Sequence, residues 1–164
     1  MAAKPRYWLL KSEPDAFSFD DLWKAKGRRT CWDGVRNYTA RNTMRDDMKV
    51  GDGVLYYHSN ADPPGVAGVA QVVKEGYPDH TQFDPKDGHF DPKADPQSPR
   101  WYMVDIKGVK KAATFVALTD LKDNAKLSGM ALVQRGQRLS VQPVKAGEWR
   151  EVLRMAGLEG KIAL

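Results

Sequence analysis

Short aromatic or β-branched runs, each closed off by turn residues, recur along this chain and constrain its fold more than any other feature. Arg6–Lys11 (RYWLLK), Gly53–His58 (GVLYYH) and Val66–Lys74 (VAGVAQVVK) read as strands, and Trp101–Lys107 (WYMVDIK) alternates. Val109–Leu118 and Arg138–Gln142 extend the series. Helices read as fewer and shorter. Ser18-Phe-Asp-Asp21 has the spacing of a capping box and opens a helix through Leu22 and Trp23. Val35–Met48 carries basic and polar residues with a thin apolar stripe. In Gly147–Ala156, residues Trp149, Val152, Leu153 and Ala156 fall at helical spacing, with Gly157 as the C-cap. Strands and short helices mixed without a βαβ rhythm predict an α+β domain around a mostly antiparallel, barrel-like sheet.

No long linker divides the chain, and 164 residues with 41% hydrophobic content suffice for one core. The one irregular stretch, Asp79–Arg100, is dense in Asp and Pro and contains the tetrapeptide FDPK twice, at Phe83–Lys86 and Phe90–Lys93. Its aspartates do not have calcium-loop spacing, so it reads as an ordered surface excursion. Cys31 is the only cysteine, which excludes an internal disulfide or a cysteine-based zinc site and suggests a small core residue. The N-terminal apolar run is too short for a signal peptide, and no stretch approaches a membrane span. The expectation is a soluble, cytoplasmic protein with no membrane partner.

Enzyme signatures are weak. HExxH, GxSxG, a Walker loop and GxGxxG are all missing, and no cofactor or metal is implied. His58 and Ser59 are adjacent, but neighbours in an extended chain point to opposite faces and do not form a dyad by themselves. The glycines of Gly65-Val-Ala-Gly68 lack a phosphate-binding context and fit close packing within a strand. The formal net charge of +5 suits a phosphate-bearing partner without proving one.

Three clusters place polar and aromatic residues at the ends of strands: Trp8 to Pro14, Cys31 to Tyr38, and Tyr56 to Asn60. A planar base needs an aromatic face to stack on and a few fixed donors and acceptors along its edge, and each cluster holds parts of that set. Simpler readings stand beside these. Trp8 fits the core, Trp32 fits a core position or a pocket wall, Lys11 fits an edge-strand charge, and Arg36 fits a helix-start cap or pair. Arg28, Arg29, Arg41 and Arg45 flank Trp32 and suit either phosphates or a solvated helical face.

Taken together, these segments resemble the EVE domain family, a PUA-like group. The resemblance rests on YWLLKSEP (Tyr7–Pro14), WDGVRNYTARN (Trp32–Asn42), VGD (Val50–Asp52) and YYHSN (Tyr56–Asn60). It continues with the Gly-Val-Ala strand (Gly65–Ala70), YPD (Tyr77–Asp79) and LSVQPV (Leu139–Val144). It implies a single PUA-like domain over residues 1–164, with its core at about 6–153, that captures one modified base without catalysing a reaction. On this resemblance the base would be a modified cytosine in DNA or a modified base in RNA, as family members are thought to recognise, and EVE domains are also similar to YTH domains, which hold a methylated adenine of RNA in an aromatic cage. On this likeness Lys11 and Ser12, followed by Glu13, line the mouth of the pocket, and Trp32 supplies a stacking wall. Gly34, Val35, Arg36 and Asn37 hydrogen-bond the base, His58 and Ser59 face them, and Leu139, Ser140 and Val141 close the floor. Tyr57, Tyr77 and Trp101 are candidates for further aromatic walls. Two alternatives stay open: an enzyme acting on a flipped base or nucleotide through His58 with Asp33 or Glu13, and an adaptor using the pocket for a small molecule.

Overall fold

The computed structural model describes residues 4–164. One sheet organises it, built from β1 (Tyr7–Ser12), β2 (Arg29–Cys31), β3 (Gly53–His58), β4 (Gly65–Pro78), β5 (Tyr102–Ala117) and β6 (Val141–Val144) in the order β2-β5-β4-β3-β1-β6. All neighbours are antiparallel except β1 and β3, which run parallel. The sheet is therefore mixed, and among the described residues it stays open, with β2 and β6 as its outer strands. Register shifts at Val66/Gly68, Val69/Ala70, Val72/Lys74 and Lys74/Tyr77 interrupt the β4–β5 ladder and bend those long strands.

The sheet is buried on both faces, which is why GVLYY in β3 shows no alternation. Trp8, Leu10, Val54 and Tyr56 pack with Phe19, Leu22, Met44 and Met48 on one face. Leu9, Leu55 and Tyr57 pack with Leu121, Trp149, Val152 and Leu153 on the other. Each fully buried Leu or Val contributes about 1.5–3 kcal/mol of hydrophobic stabilisation. Trp8 belongs to this core, and its indole N–H donates to Asp52 (2.8 Å). The buried Asp52 carboxylate also accepts the Arg6 and Lys49 amides (3.0 and 2.9 Å), which pins β1 to the start of β3.

Short helices flank the sheet: α1 (Pro14–Phe17), α2 (Phe19–Lys24), α3 (Tyr38–Asn42), α4 (Leu118–Asp123) and α5 (Ala146–Met155). Ser18 and Asp21 form the expected capping box on α2. The end of α5 is a Schellman turn: Gly157 has φ +74°, its amide donates to the Arg154 carbonyl, and Leu158 N–H donates to the Leu153 carbonyl. Several boundaries differ from expectation, and β4 runs on to Pro78 rather than ending at Lys74. Residues 35–37 are irregular rather than helical, because Asn37 caps α3 by accepting the Ala40 amide, and the helix passes into a π-helical turn at Thr43–Asp47. The two segments around Gly108 form one strand, β5, because both halves pair with β4. The strand foreseen at Arg138–Gln142 starts only at Val141, and residues 138–140 precede it as a bend.

Candidate nucleic-acid interface

A cavity of about 530 Å³ opens where the end of β1, β2 with the irregular segment after it, and the Asp/Pro loop meet. Ser12, Phe17, Trp32, Asp33, Gly34 and His89 supply most of its chemistry. Ser12 reaches this face because it falls two residues beyond Leu10 and four beyond Trp8, on the same side of β1. Its hydroxyl donates to the Phe17 carbonyl (2.8 Å), which also accepts the Tyr56 hydroxyl (2.6 Å) and so fixes α1 against the sheet. The Trp32 amide donates to the Val104 carbonyl, continuing the β2–β5 pairing by one residue. Its indole stands edge-on to Tyr56, with centroids 5.3 Å apart and planes at 89°. Trp32 is thus rigidly held, with 8% of its surface still accessible.

The Asp/Pro loop forms the opposite wall, and buried hydrogen bonds hold it there. Asp79 is completely buried and accepts from Gly34 N–H (2.8 Å), Thr81 N–H (2.8 Å), the Thr81 hydroxyl (2.5 Å) and Arg36 Nη1 (3.1 Å). Burial works to raise the Asp79 pKa, but these donors outweigh it and hold the carboxyl below its ordinary range. Arg36 also donates to the His89 carbonyl through Nε and Nη2 (3.2 and 2.7 Å) and to Thr81 Oγ1 (3.0 Å). Gln82, fully buried, bridges the loop ends: its amide donates to the Asp79 and Trp101 carbonyls, while its oxygen accepts the Arg100 and Trp101 amides. Gly34 has φ +81°, and a Cβ there would lie 2.7 Å from the His89 ring. Glycine is required at this position, and it lets the imidazole lie against the backbone.

The FDPK repeat has a structural meaning. In each copy the aspartate side chain accepts the amide two residues on, Asp84 from Lys86 and Asp91 from Lys93. Asp87 and Asp95 do the same with His89 and Gln97, so the loop is a chain of Asx turns. Trp101 Nε1 donates to Asp91 (2.8 Å), and the Trp101 ring stacks on Tyr38 (4.9 Å).

Asp33 is the one carboxylate lining the cavity, and its side chain has no hydrogen-bond partner among the described residues. Asp33 is exposed, yet partial desolvation at the cavity rim, then repulsion from Asp79, pushes its pKa above the ordinary carboxylate value, while His89 opposes that shift. Cys31 also lines the cavity, where burial and the nearby Asp33 push its thiol pKa up. The thiolate is therefore disfavoured.

Comparison with known proteins places this arrangement. The EVE domain family model matches residues 6–155. The chain belongs to the EVE domain family. Thymocyte nuclear protein 1 of Danio rerio is 45% identical over an alignment that covers 93% of this chain and 73% of that protein. A hypothetical protein from Leishmania major has a solved structure with TM-score 0.88 and 51% identity, covering 94% of this chain and 96% of that one. Human THYN1 protein, solved in complex with 5-methylcytosine-containing DNA, superposes with TM-score 0.87 and 42% identity, covering 92% of this chain and 97% of that one.

In this EVE domain the expected site residues divide. Lys11, Ser12, Trp32, Gly34, Val35, Arg36 and Ser140 line the cavity. Arg36 is committed to Asp79, Thr81 and His89, so it braces the wall rather than facing the cavity with free donors. Asn37 is a helix cap, Glu13 accepts from the Asn60 amide (2.7 Å), and Ser59 N–H donates to the Ser12 carbonyl (3.0 Å). His58 lies outside the cavity, and its Nε2 accepts the Phe19 amide (3.0 Å) at the start of α2. Burial lowers the His58 pKa and favours the neutral acceptor it acts as here. Val141 is core, and the Leu139 carbonyl accepts the Gln142 amide (2.8 Å). Of the other aromatic candidates, Tyr57 faces the opposite side of the sheet, the Tyr77 hydroxyl donates to Asp105 (2.5 Å), and Trp101 braces the loop.

The flanking arginines are mostly occupied. Arg29 pairs with Asp105, Arg45 pairs with Asp46, and Arg41 donates to the Arg100 carbonyl and to Asn42. Arg28 lies over the Trp23 ring at 3.7 Å. Sequence reasoning passed over Phe17 and His89 as cavity walls. Phe17 carried a signal, standing in the turn just after Lys11-Ser12, whereas His89 lies in a loop with no periodicity that would orient it.

Proposed function

We propose that this EVE domain binds DNA carrying a modified cytosine and draws that base out of the stack into the Trp32 cavity, with no chemistry of its own. One observation carries the reading: a held aromatic wall and an uncommitted carboxylate, Trp32 and Asp33, converge on a single cavity. The cavity's volume of about 530 Å³ falls within the range typical of ligand sites, roughly 300–1,000 Å³. Support also comes from the human relative solved with 5-methylcytosine-containing DNA.

The physical steps are consistent. Unstacking a base costs a few kcal/mol, and stacking on an aromatic side chain returns about 1–3 kcal/mol. A carboxylate is the side chain that accepts from the exocyclic amine of cytosine, which suits Asp33. A buried methyl adds only about 0.8 kcal/mol, so preference for a modified base rests on fit against the walls. His58, with Nε2 occupied, and Cys31, with its raised pKa, are poorly placed for acid–base or nucleophilic work.

Fluorescence anisotropy with matched oligonucleotides tests the reading. DNA containing 5-methylcytosine is expected to bind several-fold more tightly than its unmodified counterpart, and Trp32→Ala is expected to abolish that difference. Equal binding of the two DNAs by the unaltered protein refutes it. Tighter binding to RNA containing 5-methylcytosine overturns the choice of DNA.

A further inference from the structure

A second cavity, of about 620 Å³, lies beside the first and has a different character. Lys11, Lys122 and Arg135 line it together with Gln134 and Gln137, and no carboxylate does. Among the described residues these three cations form no ion pair. The arginines around Trp32 contrast with them, since Arg29, Arg36 and Arg45 are neutralised by Asp105, Asp79 and Asp46.

The surroundings of the three cations are also built rather than incidental. Gln134 donates to the Ser128 and Met130 carbonyls (2.8 and 3.0 Å), which anchors the loop that carries Arg135. The Gln137 oxygen accepts the Leu139 amide (3.1 Å), leaving its own N–H groups available to a ligand. Lys11 is half-buried over the ring of Tyr57, its strand partner across β1–β3, with Nζ 5.8 Å from the centroid. Burial lowers the Lys11 pKa, and an anion placed beside the ammonium opposes that shift.

The two cavities adjoin. Lys11 lines both, and the bend from Gln137 to Ser140 separates them, with Gln137 on one side and Ser140 on the other. The Lys11 N–H donates to the Ser140 carbonyl (2.9 Å), which fixes that ridge to β1.

We propose that the Lys11–Lys122–Arg135 cavity is an anion site that holds a backbone phosphodiester of the strand whose base enters the Trp32 cavity. This rests on the base-capture reading for the identity of the strand. A strand crossing the ridge at Ser140 would place its base on one side and an adjoining phosphate on the other. Three cations with no carboxylate opposing them match a phosphodiester, and Gln137 adds a neutral donor.

The test is the salt dependence of DNA binding by a K122A/R135A variant, both of whose altered residues are exposed and outside the Trp32 cavity. Each phosphate contact adds about 0.9 to the slope of log affinity against log salt for duplex DNA, about 0.7 for a single strand. The variant is expected to lower the slope by up to about 0.9, the share of one phosphate, and to lose up to about tenfold in affinity at 0.1 M salt. The loss is expected to be the same for 5-methylcytosine and unmodified DNA, and K122R/R135K is expected to retain the slope. An unchanged slope with unchanged affinity overturns the proposal, as does a loss confined to the modified DNA. If inorganic phosphate binds the protein but not the variant while the DNA slope is unchanged, the ligand is a free phosphate and the proposal is again overturned. Failure of the base-capture reading is distinguishable, because the unaltered protein then shows no preference for modified DNA whatever happens to the slope.

Discussion

An Asp79→Asn variant keeps the shape of the side chain and removes its charge. Asp79 is fully buried, and its Oδ2 accepts from Gly34 N–H and Arg36 Nη1 while Oδ1 serves Thr81. An amide that leaves its oxygen on Thr81 turns its NH₂ toward two donors, so the Gly34 and Arg36 bonds are lost. Hydrogen bonds to a charged acceptor contribute about 1.5–3 kcal/mol each, and breaking a buried ion pair costs about 3–5 kcal/mol. Arg36 retains 23% side-chain exposure, so water compensates it in part and the lower end applies: about 3 kcal/mol. For a chain of this size that is a fall of about 6–12 °C in Tm, read by calorimetry or urea melts near pH 7. The sign with pH follows from the lowered carboxyl pKa. Stability from Asp79 is fully present above the unfolded carboxyl value of about 3.9 and fades as pH falls through the lower folded value. The gap between the two proteins is therefore flat near neutrality and narrows in acid. A Tm change below about 2 °C, or a gap that widens in acid, refutes the assignment of Asp79 as the anchor of the loop.

Three further outcomes follow from the same geometry. Gly34→Ala forces a Cβ to within 2.7 Å of the His89 ring at φ +81°, and it is expected to cost about 1–3 kcal/mol and weaken binding of modified DNA; unchanged binding would remove His89 as a wall. Asp33→Asn relieves a carboxylate whose folded pKa is raised, a penalty that grows as pH rises through the carboxyl range. The variant is expected to be at least as stable near pH 7 by urea melt yet to bind modified cytosine less tightly, and a loss of stability contradicts this. Asp52→Ala leaves the Arg6 and Lys49 amides and the Trp8 indole N–H without their acceptor, with an expected loss of about 3 kcal/mol by denaturant titration; a loss under about 1 kcal/mol contradicts its role.

The strands were legible wherever side-chain identity alone decided them. Gly53–His58 coincides with β3, because burial on both faces selects a continuous apolar run. The Ser18–Asp21 cap and Gly157 were legible for a similar reason, since each is a local hydrogen-bond pattern complete within a few residues. Gly68 also reads as it packs: a Cβ there would run into the Phe19 ring. Arg36 and Asn37 were less legible. Their residue types suit reading a base, yet the partners that occupy them, Asp79 and the Ala40 amide, come from the fold and not from neighbouring sequence. His58 shows the same limit, because its partner is an amide at residue 19. His89 could not be oriented from sequence, because a chain of Asx turns has no period that assigns a face.

The way the Asp/Pro loop is fastened separates its stability from its chemistry. Buried and part-buried bonds through Asp79, Gln82 and Asp91 grip its base and flanks, while His89 stands half-exposed at the cavity, its carbonyl gripped by Arg36 and its ring in polar contact, among the described residues, only with the neighbouring Asp87 carboxylate. A different side chain at position 89 would alter one wall of the pocket without disturbing the bonds that hold the loop in place. The loop works as an interchangeable jaw on a fixed mount, and, on the base-capture proposal, retuning the preference for a modified base should begin at that one residue.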